Sequence, residues 1–253
     1  TGCKVNEISF DTKKVINMLR DNGFGYVKID YNDDLGIGVD DYEGLGEGLR
    51  KKIKATQKFF EKIREEIPDI VIENCASGGH RLEPSMMEIC SQASFSDAHE
   101  TTSIPIIAAN LHRCILPSQS QIWAVMRATD DDKRIIYSIV NTFLGRMCIS
   151  GDVYDLNDHQ WSLIEEGMAF YNKVSHIIDK GMTTRIDTWF GNYNHPEGEQ
   201  IVVRRYENQE LIIFHRFANS KDMDMSVLEG KNVIASYGKA DCDFSAIAYL
   251  VEV

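Results

Sequence analysis

The sequence predicts an α/β chain: a parallel sheet covered by helices, either a barrel or a doubly wound sheet, followed by a small antiparallel β domain. Three observations predict it. Five short runs, YVKIDYN, IVIENC, ASFSD, SQIWAVM and RMCIS, are each followed by a helical pattern. The runs are largely apolar at every position, as strands buried on both faces are. From Thr183 the texture changes to alternation, in QIVVRRYENQELIIFHRF, NVIASYG and FSAIAYLVEV, which marks antiparallel strands around a turn at 207–209. The domains expected are 1–182, parallel, and 183–253, antiparallel; 253 residues, 43 % of them hydrophobic, suffice for both.

Each element has its own signal. Asp11 is placed to cap a helix to about Asn22 that presents Val15, Ile16 and Leu19 on one face and stops at Gly23. YVKIDYN (26–32) follows as a strand. After a Gly/Asp-rich loop, Leu49, Ile53, Phe60, Ile63 and Ile67 mark a helix closed by Pro68. IVIENC is the second strand; a glycine turn and a short helix lead to ASFSD (93–97), the third. A helical stretch from Ile104 to Cys114 precedes SQIWAVM (120–126), and DDKRIIYSIVNTFL reads as helix before RMCIS. Asn157 or Asp158 caps a long amphipathic helix through Trp161, Ile164, Met168, Tyr171, Val174 and Ile178, ended by Gly181.

Charge and cysteines narrow the function classes. The net charge of −12, from 27 basic and 39 acidic residues, repels a phosphate backbone and argues against nucleic acid. No window reaches the roughly 18 apolar residues of a membrane span, and the first ten residues lack an apolar signal core. The six cysteines, Cys3, Cys75, Cys90, Cys114, Cys148 and Cys242, are scattered without a CxxC pair or a zinc spacing. Reduced thiols and a cytoplasmic location are expected.

The chemistry concentrates at strand ends. In a (β/α)₈ barrel, catalytic groups stand at the carboxyl-terminal mouth. Lys28 and Asp30 share a strand face, as do Glu73 and Cys75, and Asp97 closes the third run. Any one such carboxylate is as readily a helix cap or an ion-pair partner. Three on successive strands suit two chemistries. A retaining glycosidase uses two carboxyl groups about 5–5.5 Å apart, one as nucleophile and one as acid/base, and a lysine beside Asp30 favours its ionised form. An enolase-type barrel holds a divalent metal with carboxylates and uses a lysine base. The residue types alone leave both open.

The surrounding motifs choose between them. KIDYN, ENCASGGHR some 40 residues later and SDAHE resemble family 36 of the glycoside hydrolases, the melibiase-type α-galactosidases, with their KWDxN, Cys-Ser-Gly-rich-Arg and SDxxD segments in that order. The resemblance spans about residues 11–180. It implies a partial (β/α)₈ TIM barrel, strands four to eight, followed by a small antiparallel β-sandwich domain. By it Asp30 looks like the nucleophile and Asp97 the acid/base. Lys28 and Asn32 would contact sugar hydroxyls, Cys75 and Arg81 would belong to the sugar pocket, and Ser77, Gly78 and Gly79 would allow close backbone approach. Ile29 replaces the family's Trp, His80 interrupts the glycine run, and Ala98, His99 and Glu100 depart from its third motif. These bear on the substrate, galactose or N-acetylgalactosamine. The implied partner is a small oligosaccharide, with no metal or organic cofactor. The first three strands would lie outside the chain, leaving the first and fifth runs as open edges for a second copy or the enzyme's amino-terminal half. A galactosyl transferase would use the same residues, and a non-catalytic sugar-binding piece is the reading from another class.

Other motifs carry less. DYNDDLGIGVDD approaches an EF-hand loop, but Leu35 stands where glycine is needed and Asp41 where a bidentate Glu belongs. GLGEGLR opens a helix yet lacks a GKS/T signature, and Glu43 and Glu47 crowd it. Lys28 as a Schiff-base lysine is disfavoured by its carboxylate neighbour, which keeps the amine charged.

Overall fold

The computed structural model describes residues 5–30, 43–98, 101–187, 189–221 and 224–253. They form two compact units, Thr1–Asp97 and Ala98–Val253. The first contains α1 (Val5–Asp21), β1 (Tyr26–Asp30), α2 (Leu45–Glu66), β2 (Val71–Cys75), α3 (Pro84–Met87) and β3 (Gln92–Ser94). β1 pairs with β2 in parallel, Tyr26 opposite Val71 through Asp30 opposite Cys75, and β2 pairs with β3 through Glu73 opposite Gln92.

Only one face of these strands is apolar. Ile16 and Leu19 of α1 and Phe60 and Ile63 of α2 pack with Ile72 of β2, and Val27 and Ile29 of β1 join the same cluster. Each fully buried side chain there contributes about 1.5–3 kcal/mol. The pleat sends Tyr26, Lys28 and Asp30 to the opposite face, with Glu73 and Cys75 beside them. β1 is therefore half exposed, where the sequence suggested burial on both sides: Lys28 and Asp30 are on its open face. Two boundaries also differ. α1 starts six residues before Asp11, which lies inside the helix. α2 ends at Glu66, because Pro68 forces Ile67 out of helical geometry.

The second unit holds α4 (Ile104–Leu111), β4 (Ser120–Met126), α5 (Asp132–Thr142), β5 (Arg146–Gly151), α6 (Asp158–Lys180), then β6 (Met182–Asp187), β7 (Phe190–Asn192), β8 (His195–Glu197), β9 (Glu199–Tyr206), β10 (Gln209–Arg216), β11 (Asn232–Lys239) and β12 (Ala246–Glu252). β4 and β5 are parallel, with Gln121 opposite Arg146. Asn157 caps α6: its side chain accepts from the Gln160 N–H while the Gln160 side chain accepts from the Asn157 N–H, a reciprocal capping box.

The antiparallel part is one five-stranded sheet, in the order β11-β12-β10-β9-β6, and a separate β7-β8 hairpin. Ile212 and Phe214 of β10 cluster on one side with Ile201, Ile247 and Val251. The alternate residue His215 faces α5, its ring 5.4 Å from that of Tyr137. Where the sequence suggested a sandwich, the described residues give this sheet a helix-covered face. β6 to β8 escaped the sequence reading because MTTRID lacks apolar alternation and the hairpin strands are three residues each.

Arg204 and His215 are among the polar side chains buried in this unit, and His112 is part-buried beside Arg204. Arg204 is fully buried, its Nε donating to Thr183 Oγ1 at 3.1 Å and its Nη2 to the Leu144 carbonyl at 3.2 Å, just beyond the end of α5. A helix carboxyl end attracts a cation, which compensates part of the desolvation. His112 Nε2 stands 2.7 Å from the same carbonyl, and His215 Nε2 is 2.9 Å from Asn141 Oδ1.

Candidate active site

The parallel strands of the first unit all end on one rim. Asp30 is the last residue of β1, Cys75 the last of β2, and Asp97 lies three residues beyond β3. β3 is shorter than the run ASFSD suggested, so Asp97 is carried on an exposed bend. Asp30 is opposite Cys75 in the β1–β2 register. The thiol feels both Lys28 and Asp30, and the β2–β3 register, Glu73 opposite Gln92 and Asn74 opposite Ala93, carries on to put Ser94 of β3 beside it. One row of residues thus crosses the three strands below the rim: Asp30, Cys75, Ser94.

Cys75 is a neutral thiol in this setting. Burial, above all, pushes it above its ordinary range, against the opposing pull of the Gly78 backbone and Lys28. A thiolate is the reactive form, so the side chain lines the site and offers no nucleophile.

The turn after β2 closes the gap to Asp97. Ala76 N–H donates to the Gly78 carbonyl at 3.1 Å, and Ser77 and Gly78 take positive φ of 44° and 76°. A Cβ at Gly78 would come within 2.4 Å of the Asp97 backbone nitrogen, and one at Gly79 within 2.4 Å of the Phe95 carbonyl oxygen. Glycine is thus required twice, because this turn is packed backbone to backbone against the segment that carries Asp97. Asn74 Nδ2 pins its far end by donating to the Arg81 carbonyl. Gly78→Ala is expected to cost roughly 1–2 kcal/mol for the left-handed backbone alone, and more for the contact. Urea-unfolding midpoints measure it, and a midpoint equal to wild type would contradict the packing described.

A second row lies one step down the same face. Lys28 Nζ is 3.4 Å from Oε1 of Glu73, which is 1 % exposed, and Gln92 Nε2 donates to Glu73 Oε2 at 3.2 Å. The same amide is 3.3 Å from the Tyr26 hydroxyl. Lys28 thus pairs with Glu73 across the sheet, where the sequence suggested a pairing with Asp30 along the strand. Glu73 was legible as a strand-end carboxylate, but its buried pairing was not.

Of the predicted site residues, one set gathers at this rim and face: Lys28, Asp30, Cys75, Ser77, Gly78, Gly79 and Asp97, with Arg81 following the turn. Asn32 lies outside the described residues, as do His99 and Glu100. A hollow of about 540 Å³ between α1 and α2, lined by Ile16, Ala55 and Phe59 among others, contains none of them and opens on the helix side. No described helix is long and apolar enough to cross a membrane.

The family model for melibiase matches residues 4–181. The α-galactosidase AgaA of Geobacillus stearothermophilus is 22 % identical over 240 residues, covering 87 % of this chain and 30 % of that protein. Among solved structures, an AgaA variant in complex with 1-deoxygalactonojirimycin matches with a TM-score of 0.78 at 17 % identity, over 98 % of this chain and 38 % of that one. The α-galactosidase of Lactobacillus brevis matches with a TM-score of 0.77 at 14 % identity, over the same shares of the two chains. The chain therefore spans about a third of the length of these relatives.

Proposed function

This chain belongs to the melibiase family, and from that membership we propose that it carries the two catalytic carboxylates of a retaining α-galactosidase. Asp30 attacks the anomeric carbon while Asp97 protonates the leaving oxygen. Asp97 then removes a proton from water, which releases galactose from the enzyme. Lys28, Asn32 and Arg81 contact the sugar, Cys75 lines its pocket, and the Ser77–Gly79 turn brings backbone close to it. Terminal α-galactosides of the melibiose and raffinose type are the substrates.

One observation carries the reading: the continuous path from Asp30 through Cys75 and Gly78 to Asp97 at the carboxyl ends of neighbouring parallel strands. β1 and β3 are two strand spacings apart, roughly 10 Å between backbones. The double displacement proposed here requires the two carboxyl groups to stand about 5–5.5 Å apart across that gap.

In this proposal β1 to β5 are strands four to eight of a (β/α)₈ barrel within residues 1–182, and residues 183–253 form the appended β domain. Strands from outside these 253 residues, in the same enzyme or a second copy, complete the barrel and the sugar pocket. The test uses the full-length protein containing the chain, with an aryl α-galactoside followed by proton NMR. α-Galactose as the first-formed sugar supports the double displacement, and β-galactose as the first product overturns it.

A further inference from the structure

We propose that Glu73 is a positioning residue: it holds Lys28 across the sheet and keeps that ammonium from closing an ion pair with the attacking carboxylate of Asp30. This rests on the reading of Asp30 as the nucleophile. Glu73 is the less mobile partner. It sits on β2, hydrogen-bonded into the sheet on both sides, and its carboxylate is buried and fixed from β3 by Gln92. Lys28 has a long flexible stem and is 37 % exposed. Lys28 and Asp30 are two residues apart on one face, about 7 Å along the strand, a distance a lysine side chain can span. The carboxylate directly opposite Lys28, 3.4 Å from its Nζ, competes with Asp30 for that ammonium.

The arrangement has a chemical consequence. An ammonium bound to the nucleophile stabilises its lone pairs in the ground state, and that stabilisation is lost as the glycosyl bond forms. Held by Glu73, Lys28 keeps a fixed position at the rim without neutralising Asp30. Among the described residues, the titratable groups facing Glu73 are Tyr26 and Lys28 from β1, Asp30 one row above, and Cys75 on its own strand. β3 presents the neutral Gln92 and Ser94.

The test compares Glu73→Gln, Lys28→Met, the double variant and Asp30→Ala in the full-length protein, measuring kcat and KM for an aryl α-galactoside across pH. Glu73→Gln keeps the shape and the Gln92 contact and removes the charge. It is expected to lower kcat/KM about tenfold and to move the acidic limb of the profile to lower pH, because loss of a like charge favours the ionised nucleophile. The double variant is expected to be no worse than Lys28→Met alone, since Glu73 acts through Lys28. An unmoved acidic limb overturns the proposal, because a purely structural role changes the amount of active enzyme and not its pH dependence. Fully additive losses in the double variant overturn it as well. Failure of the nucleophile assignment is read separately, as Asp30→Ala with near wild-type activity.

Discussion

Replacing Asp30 with alanine is expected to lower kcat for an aryl α-galactoside by on the order of 10⁴-fold, roughly 5.5 kcal/mol of transition-state stabilisation. The effect is large because the proposed nucleophile forms a bond in the first step, and no other described carboxylate is placed to substitute. Asp97 stands on the far side of the Cys75–Gly78 turn, and Glu73 is buried one row below. Folding should be spared: Asp30 is an exposed strand end, and the apolar contacts of β1 come from Val27 and Ile29 on the other face. A variant with an unchanged urea midpoint and lost turnover fits this account. A variant that turns over within tenfold of wild type does not.

Acid is expected to weaken the second unit through two histidines. Burial, foremost, lowers His112 from 6.5 to about 3, helped by the like charge of Arg204, and burial alone lowers His215 to about 3. Their hydrogen bonds explain why. His112 Nε2 faces a carbonyl, and His215 Nε2 faces an Asn141 oxygen whose own amide already donates to the Thr101 carbonyl at 3.0 Å. Each Nε2 therefore carries the proton, and each Nδ1 has no partner among the described residues. A second proton on either ring would be buried without an acceptor. The unfolded chain takes up that proton near 6.5 and the folded chain only near 3, so stability is complete above about 6.5 and falls as pH drops toward 3. At pH 5 each histidine is expected to cost about 2 kcal/mol. Urea midpoints at pH 7.5 and 5.0 measure the combined loss, and His215→Gln is expected to recover about half of it. A midpoint that does not change between the two pH values would contradict the description.

Much of this architecture was written in local patterns. β4 falls on SQIWAVM residue for residue, and α6 starts at its predicted cap, because seven-residue apolar runs and capping residues are local signals. The rim was legible for a related reason: the pleat alone puts Lys28 with Asp30 and Glu73 with Cys75, whatever the rest of the chain does. What was not legible depends on neighbours distant in sequence. The half-exposure of β1 follows from α1 and α2 covering one face only. The Lys28–Glu73 pair spans 45 residues and is fixed by strand register. Arg204 is enclosed in the sheet, where Thr183 and the carbonyl of Leu144 accept its protons. Its separation from those partners leaves no local trace.

Azide tests the central claim most directly. With Asp30→Ala in the full-length protein and an activated aryl α-galactoside, added azide can enter the space of the missing carboxylate and attack the same face of the anomeric carbon. The account predicts recovered release of the aryl group and a β-galactosyl azide as the product. Release without azide dependence, or an α-galactosyl azide, would show that the attacking group lies elsewhere.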